Sequence, residues 1–198
     1  MRHSLPAAAD AHAPLPPPFT IRDATPDDLA AILAITNHEI AENVAHFGTR
    51  PITLGEFRAA YDAEMPRFPW LVAASTDPAG DVLAYCRASP WKTREAYHWT
   101  TEIGVYVAPH AQGRGLGRAL YTALFPRLEA NAFRCVIAGI ALPNDASVRL
   151  HEAFDMTHAG TLPRVGFKHG QWRDVGNWTK HLGDHTQPPT IPPGSPTL

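Results

Sequence analysis

The chain has 198 residues, 44% apolar and 18% charged, a composition that excludes a wholly disordered protein and allows one domain or two small ones. A formal net charge of -2 argues against a general nucleic-acid or membrane-surface binder, which would carry a basic excess. Five of the 20 prolines fall in residues 1–18 and five in residues 183–198. The expectation is one domain over residues 19–182 between a disordered Pro/Ala-rich tail and a disordered Pro-rich tail. The N-terminus lacks the continuous apolar stretch of a signal peptide, and no apolar run reaches the roughly 18 residues of a membrane span. Cys86 and Cys135 lie far apart with no C-x-x-C spacing, which supports neither a disulfide framework nor a cysteine zinc site and suits a reducing, cytoplasmic location.

Phe19–Asp23 reads as a short strand. Thr25-Pro26-Asp27-Asp28 has the form of a helix start, with a threonine cap, proline at the first helical position and an acid three residues after the cap. Leu29, Ile32, Leu33, Ile35 and Ile40 continue that helix, and 43–51 is a loop. Thr53 opens a second helix that ends before Pro66. Residues 70–75 and 82–87 flank Asp77-Pro78-Ala79-Gly80 and read as a hairpin. Residues 89–96 read as a polar loop and 98–107 as a long strand. A helix over 115–130 carries Leu116, Leu120 and Leu124 on one face, with Pro126 expected to kink its second half. A buried strand over 134–141, a helix over 145–154, and strands over 157–165 and 173–182 joined by a turn at 166–170 complete the chain. This order predicts a mixed α/β domain whose sheet is largely antiparallel, with one parallel crossover through the third helix.

The sharpest local signal is Gln112-Gly113-Arg114-Gly115-Leu116-Gly117-Arg118, between a strand and a helix. Glycines let backbone approach an anion closely, the helix start presents unpaired N–H groups and partial positive charge, and Arg114 and Arg118 add full charges. The spacing fits a pyrophosphate cradle but neither a Walker loop, which needs a following Lys-Ser/Thr, nor a Rossmann fingerprint. A plain glycine-rich strand–helix turn is the alternative.

Q-x-x-G-x-G after a strand ending Val105-Tyr106-Val107 resembles the acetyl-CoA loop of the GNAT acyltransferases, and the element order is similar to that fold. The residues from Trp91 to Glu102 resemble, within that superfamily, the phosphinothricin acetyltransferases and their methionine sulfoximine-acetylating relatives. So do Asn37-His38, Pro143-Asn144-Asp145-Ala146-Ser147, Leu150-His151-Glu152 and the run from Val165 to Val175. The resemblance spans about residues 20–182. It implies a mostly antiparallel, splayed central sheet, acetyl-CoA as co-substrate without a metal, and a small-molecule amine acceptor. It also implies a homodimer to which the turn at Phe167–Trp172 contributes. Val105, Tyr106 and Val107 would meet the pantetheine arm and residues 112–118 the pyrophosphate; Ser147 is a further cofactor-binding candidate, and Asn144 would meet the arm or the surroundings of the sulfur, be the cap of its helix, or do both.

Acetyl transfer needs a neutral amine, and deprotonating one at neutral pH costs roughly 1.4 to 5 kcal/mol. A positioned carboxylate can take the proton. Glu102 is the candidate, on the long strand before the glycine loop, and the resembling family places its base there; the alternative is a solvent-facing strand glutamate. By the same resemblance His151 stands where other GNAT enzymes use a tyrosine, as donor to the leaving thiolate or as a base relay. Lys92 and Arg94 suit the anionic groups of such acceptors, Arg through bidentate geometry. Tyr97, with Trp91 and Trp99, would wall the pocket; Asn37 and Phe47 are further pocket candidates. Asp155-Met156 departs from the Gly-Phe of relatives at a helix end, and Ile103-Gly104 replaces a more polar pair, with the acceptor pocket reshaped as the expected result. A non-catalytic acyl-CoA sensor and a protein or peptide N-acetyltransferase remain open beside the small-molecule enzyme.

Overall fold

The computed structural model describes residues 19–77, 80–187 and 189; residues 1–18, 188 and 190–198 of the expected tails lie outside the described residues. The strands are β1 (Phe19–Asp23), β2 (Trp70–Ser75), β3 (Val82–Pro90), β4 (Thr100–Val107), β5 (Cys135–Leu142), β6 (Thr157–Lys168) and β7 (Gln171–His181). The helices are α1 (Leu29–Glu42), α2 (Leu54–Glu64), α3 (Leu116–Ala130) and α4 (Asp145–Glu152). The sheet order is β1-β2-β3-β4-β5-β7-β6, antiparallel throughout except for the β4–β5 pair. The mixed α/β expectation holds in both element order and the position of its parallel crossover.

Local chemistry accounts for most boundaries. Asp28 accepts from the Thr25 N–H at 2.7 Å and pairs with Arg22 at 2.6 Å, which holds its carboxyl down at about 2. The box opens one turn of 3-10 helix at Pro26–Asp28, and α1 follows from Leu29. Thr53 and Glu56 form the same reciprocal box at the head of α2. Pro126 lies inside α3, which nevertheless continues to Ala130.

Several boundaries differ from the sequence reading, among them the end of α4, which stops at Glu152. β3 runs on to Pro90, because Ser89 and Pro90 pair with Glu102 and Thr101 of β4. Residues 95–97 form a 3-10 turn, so β4 begins at Thr100. The β6–β7 connection tightens to His169-Gly170, with φ of 49° and 72°, and the strands extend to meet it. Two successive residues of positive φ are what a two-residue hairpin demands.

The two faces of the sheet do different work. α3 covers one, placing Leu116, Leu120, Leu124 and Leu128 in the core at no more than 2% exposure. Each such burial contributes roughly 1.5–3 kcal/mol. α1 and α2 cover part of the other face. There the Tyr85 hydroxyl meets Thr36 Oγ1 of α1 at 2.7 Å, and Trp70 takes the edges of Phe57 and Tyr61 from α2. Beyond α1 and α2, toward β5 and β7, this second face is left to the site.

Candidate active site

β4 and β5 pair only from Thr100–Glu102 to Cys135–Ile137. Past Glu102, β4 continues to Val107 bonded to β3 alone, and β5 continues to Leu142 bonded to β7. The strands therefore part at Glu102, and the edge of β4 facing the gap keeps backbone groups free for a ligand.

A cleft of about 480 Å³ follows that gap. Val105, Tyr106 and Val107 line it along β4, Gln112, Gly113 and Gly117 at the loop end, and Asn144 and Ser147 at the start of α4. The other glycine-loop residues contribute backbone or charge rather than lining. Gly115 caps α3 in the left-handed region at φ 75°, and Gly113 before it lies in the same region at 74°. Leu116 turns its side chain into the core. The Arg114 guanidinium donates to the His110 carbonyl at 2.9 Å, and Arg118 lies 5.8 Å from the Phe154 ring centre. Among the described residues the N–H groups of 113–118 make no turn or cap bond, the first being Ala119 N–H to the Gly115 carbonyl at 3.1 Å. The segment thus fits a diphosphate: free amides, a helix start and glycines that bring nothing between them and the ligand. Gly117 serves packing, since a Cβ there would stand 3.0 Å from Leu150 Cδ2.

A second cavity of about 300 Å³ opens on the α1–α2 side of the sheet and shares Ala45, Val105, Tyr106, Asn144 and Ser147 with the cleft. Glu102 and His151 both line it, as does Phe47. Burial pushes the Glu102 carboxyl above the usual carboxylate range, with Arg87 and Lys92 pulling it partly back. His151 is 3% exposed, and both its nitrogens are engaged: Nδ1 lies 2.7 Å from the Ser147 carbonyl and Nε2 2.9 Å from the Tyr121 hydroxyl. Asn144 caps α4 by accepting from Ser147 N–H at 3.1 Å.

Asn37, Lys92, Arg94 and Tyr97 do not line either space. The Asn37 amide is spent on the Ile52 backbone, donating at 3.0 Å and accepting at 2.8 Å. Tyr97 and Lys92 pack against Trp91, each at 5.0 Å from its ring centre, and Arg94 precedes the 3-10 turn. Lys92 still acts on Glu102 through charge. The cavity gains instead residues that the sequence did not single out, namely Arg87, His46 and Gly139, beside Ile103 and Gly104, the pair expected to reshape the acceptor pocket. His46 is held by Lys168, whose buried ammonium donates to the His46 carbonyl at 2.6 Å and the Glu39 carbonyl at 3.4 Å. A buried lysine tying a loop to a helix end is readable only in three dimensions.

The model of the acetyltransferase (GNAT) family matches residues 32–156, which include the parted strands, the glycine loop and α4. The chain belongs to the GNAT acetyltransferase family. It is similar to the phosphinothricin N-acetyltransferase of Streptomyces viridochromogenes, 47% identical over 163 residues, 82% of this chain and 87% of the relative. It is also similar to the L-methionine sulfoximine/L-methionine sulfone acetyltransferase of Pseudomonas paraeruginosa, 37% identical over 79% of this chain and 90% of that one. Among solved structures, a GNAT superfamily phosphinothricin acetyltransferase from Sinorhizobium meliloti in complex with acetyl-CoA superposes with a TM-score of 0.82. It is 33% identical and covers 87% of this chain and 93% of its own. GNAT membership gives the parted strands and the diphosphate-fitting loop a common purpose. Among the described residues, no helix is long and apolar enough to cross a membrane.

Proposed function

We propose that the protein moves the acetyl group of acetyl-CoA to the primary amine of a small amino acid or analogue of the phosphinothricin or methionine sulfone kind. The observation that carries the reading is Glu102: its carboxyl lines a cavity that opens into the cleft at the strand separation.

The residues divide the work as follows. The 113–118 amides hold the diphosphate, and the free edge of β4 at Val105–Val107 holds the pantetheine arm, which brings the thioester to Asn144 and Ser147. The acceptor ammonium loses its proton to Glu102, whose raised pKa brings it nearer that of the amine. The nitrogen lone pair attacks the thioester carbonyl, the C–N bond forms, the C–S bond breaks, and the departing CoA thiolate takes the nitrogen's second proton, so that the amide and the CoA thiol are released. Direct transfer leaves no role for a cysteine nucleophile: Cys86 is buried and its thiol pushed up by burial.

The protein acts in this reading as a cytoplasmic homodimer. Leu162, Val165, Phe167 and Trp172 are each more than half exposed on the β6–β7 hairpin, at the open edge of the sheet. That apolar patch suits a second copy, and two free thiols suit a reducing compartment. Purified protein with acetyl-CoA and L-phosphinothricin, L-methionine sulfoximine or L-methionine sulfone, monitored by thiol release, tests the activity; turnover of none of the three refutes it.

A further inference from the structure

The acceptor cavity continues past its first chamber. A side chamber of about 190 Å³, walled by Ile52, Phe57 and Ala60, shares Arg87, His46 and Tyr106 with it. Arg87 stands at the junction, on the same face of the sheet as Glu102 and directly opposite Gly104 of β4. Its guanidinium lies 4.9 Å from the Trp70 ring centre. Trp70 is itself wedged by Phe57 and Tyr61, so the guanidinium rests on a rigid platform.

This guanidinium has unspent donors. Among the described residues its one ion pair is with Glu64 at 4.0 Å, beyond hydrogen-bond reach, and Glu64 already accepts from Trp70 Nε1 at 2.8 Å. Among the described residues no side-chain hydrogen bond of Arg87 is found, although its side chain is only 30% exposed. A half-covered cation with free, fork-shaped donors facing a cavity is a site for a planar or tetrahedral oxyanion. Gly104 keeps the lane between Arg87 and the Glu102 side of the cavity open. A Cβ there would stand 3.3 Å from the Tyr106 ring, inside that lane. Glycine within a strand often marks such a close approach.

The other charged groups do not compete for this role. Glu56 in the side chamber is bound by Arg50 at 2.6 Å and by Thr53. Burial and the nearby cations Arg87 and Lys168 lower the pKa of His46, and burial lowers that of His151. That leaves Glu102 and Arg87 as the free opposite charges of the cavity, one diagonal apart across β3 and β4. An amino acid presents the complementary pair: an ammonium for Glu102 and an anionic oxygen group for Arg87.

We infer that Arg87 is the anion-binding residue of the acceptor site, taking a carboxylate or phosphinate oxygen pair of the amino-acid acceptor across the lane left by Gly104. The inference rests on the acetyltransfer reading above and deepens it. The test is steady-state kinetics of Arg87→Gln and Arg87→Lys with L-phosphinothricin, which has both groups, and L-methionine sulfone, which has the carboxylate alone. Arg87→Gln is expected to raise the acceptor KM about ten- to hundredfold, with kcat and the acetyl-CoA KM little changed and Arg87→Lys in between. A rise for both acceptors assigns the carboxylate; a rise for L-phosphinothricin alone assigns the phosphinate. Gly104→Val, which keeps Arg87 and fills the lane, should raise the same KM and covers the case in which Arg87→Gln does not fold. Wild-type inactivity toward both acceptors and toward L-methionine sulfoximine defeats the acetyltransfer reading. An active wild type whose acceptor KM values survive the substitutions, or rise only in step with the acetyl-CoA KM, overturns the role of Arg87.

Discussion

The Tyr121 hydroxyl and His151 Nε2 lie 2.9 Å apart, and the opposite ring nitrogen of the same imidazole faces the Ser147 carbonyl at 2.7 Å. A carbonyl only accepts, so Nδ1 carries the proton. Burial lowers the His151 pKa, so the neutral ring presents a bare Nε2 and Tyr121 donates to it. The imidazole thus joins α3 to α4 beside the cavity, and Tyr121→Phe leaves a buried acceptor without a donor. The expected loss is about 1–3 kcal/mol by urea unfolding.

The same histidine makes stability depend on pH. Its folded pKa lies below the ordinary 6.5, so the unfolded chain binds the proton more readily. This contribution is complete above about 6.5 and is lost as pH falls toward the depressed folded value. Urea unfolding of wild type at pH 8, 6.5 and 5.5 should show a steeper decline than His151→Gln over the same points. Parallel curves would mean that the ring binds its proton equally well in the folded and the unfolded chain, and so that burial does not lower its pKa.

Asp155 occupies the left-handed region at φ 60° behind α4, and Met156 after it is 2% exposed. A left-handed non-glycine residue costs about 1–2 kcal/mol, part of which glycine loses again in the unfolded chain. Asp155→Gly should therefore stabilise by about 0.5–1 kcal/mol, or some 2–4 °C in Tm, without changing kcat. Lys180 loses only a 3.3 Å surface pair, since it keeps the Phe154 carbonyl at 2.7 Å.

Gly115 takes φ 75° in the middle of the free amides of 113–118. Gly115→Ala strains that turn by about 1–2 kcal/mol or reorients its N–H groups. The acetyl-CoA KM should rise about tenfold, with the acceptor KM unchanged. An unchanged acetyl-CoA KM would separate the loop from diphosphate binding.

The element order was legible because helix caps, prolines and apolar spacing act within a few residues. The glycine loop was legible as a strand–turn–helix unit for the same reason, whereas Glu102 was singled out by the family resemblance, its position alone being equally that of a solvent-facing strand glutamate. Arg87 was not: in sequence it is one cation at the end of an apolar run, and its position follows from the β3–β4 register and from the missing side chain at Gly104. Lys92, Arg94 and Tyr97 have the right chemistry for an acceptor anion, but the side chains of Lys92 and Tyr97 pack on Trp91 and none of the three lines the cavity. His46 reaches the cavity through a bond from Lys168, 122 residues away in the chain. Contacts at that separation leave no local trace.

The most direct test of the account is the pH profile of kcat/KM for acetyl-CoA-dependent acetylation of L-phosphinothricin or L-methionine sulfone, wild type against Glu102→Gln. Burial raises the Glu102 pKa and the base works ionised, so the acidic limb should rise through a pKa above the ordinary 4.5. Glu102→Gln should abolish that limb and lower kcat/KM about 10²- to 10⁴-fold. A variant that keeps both the wild-type rate and the wild-type profile would contradict the account.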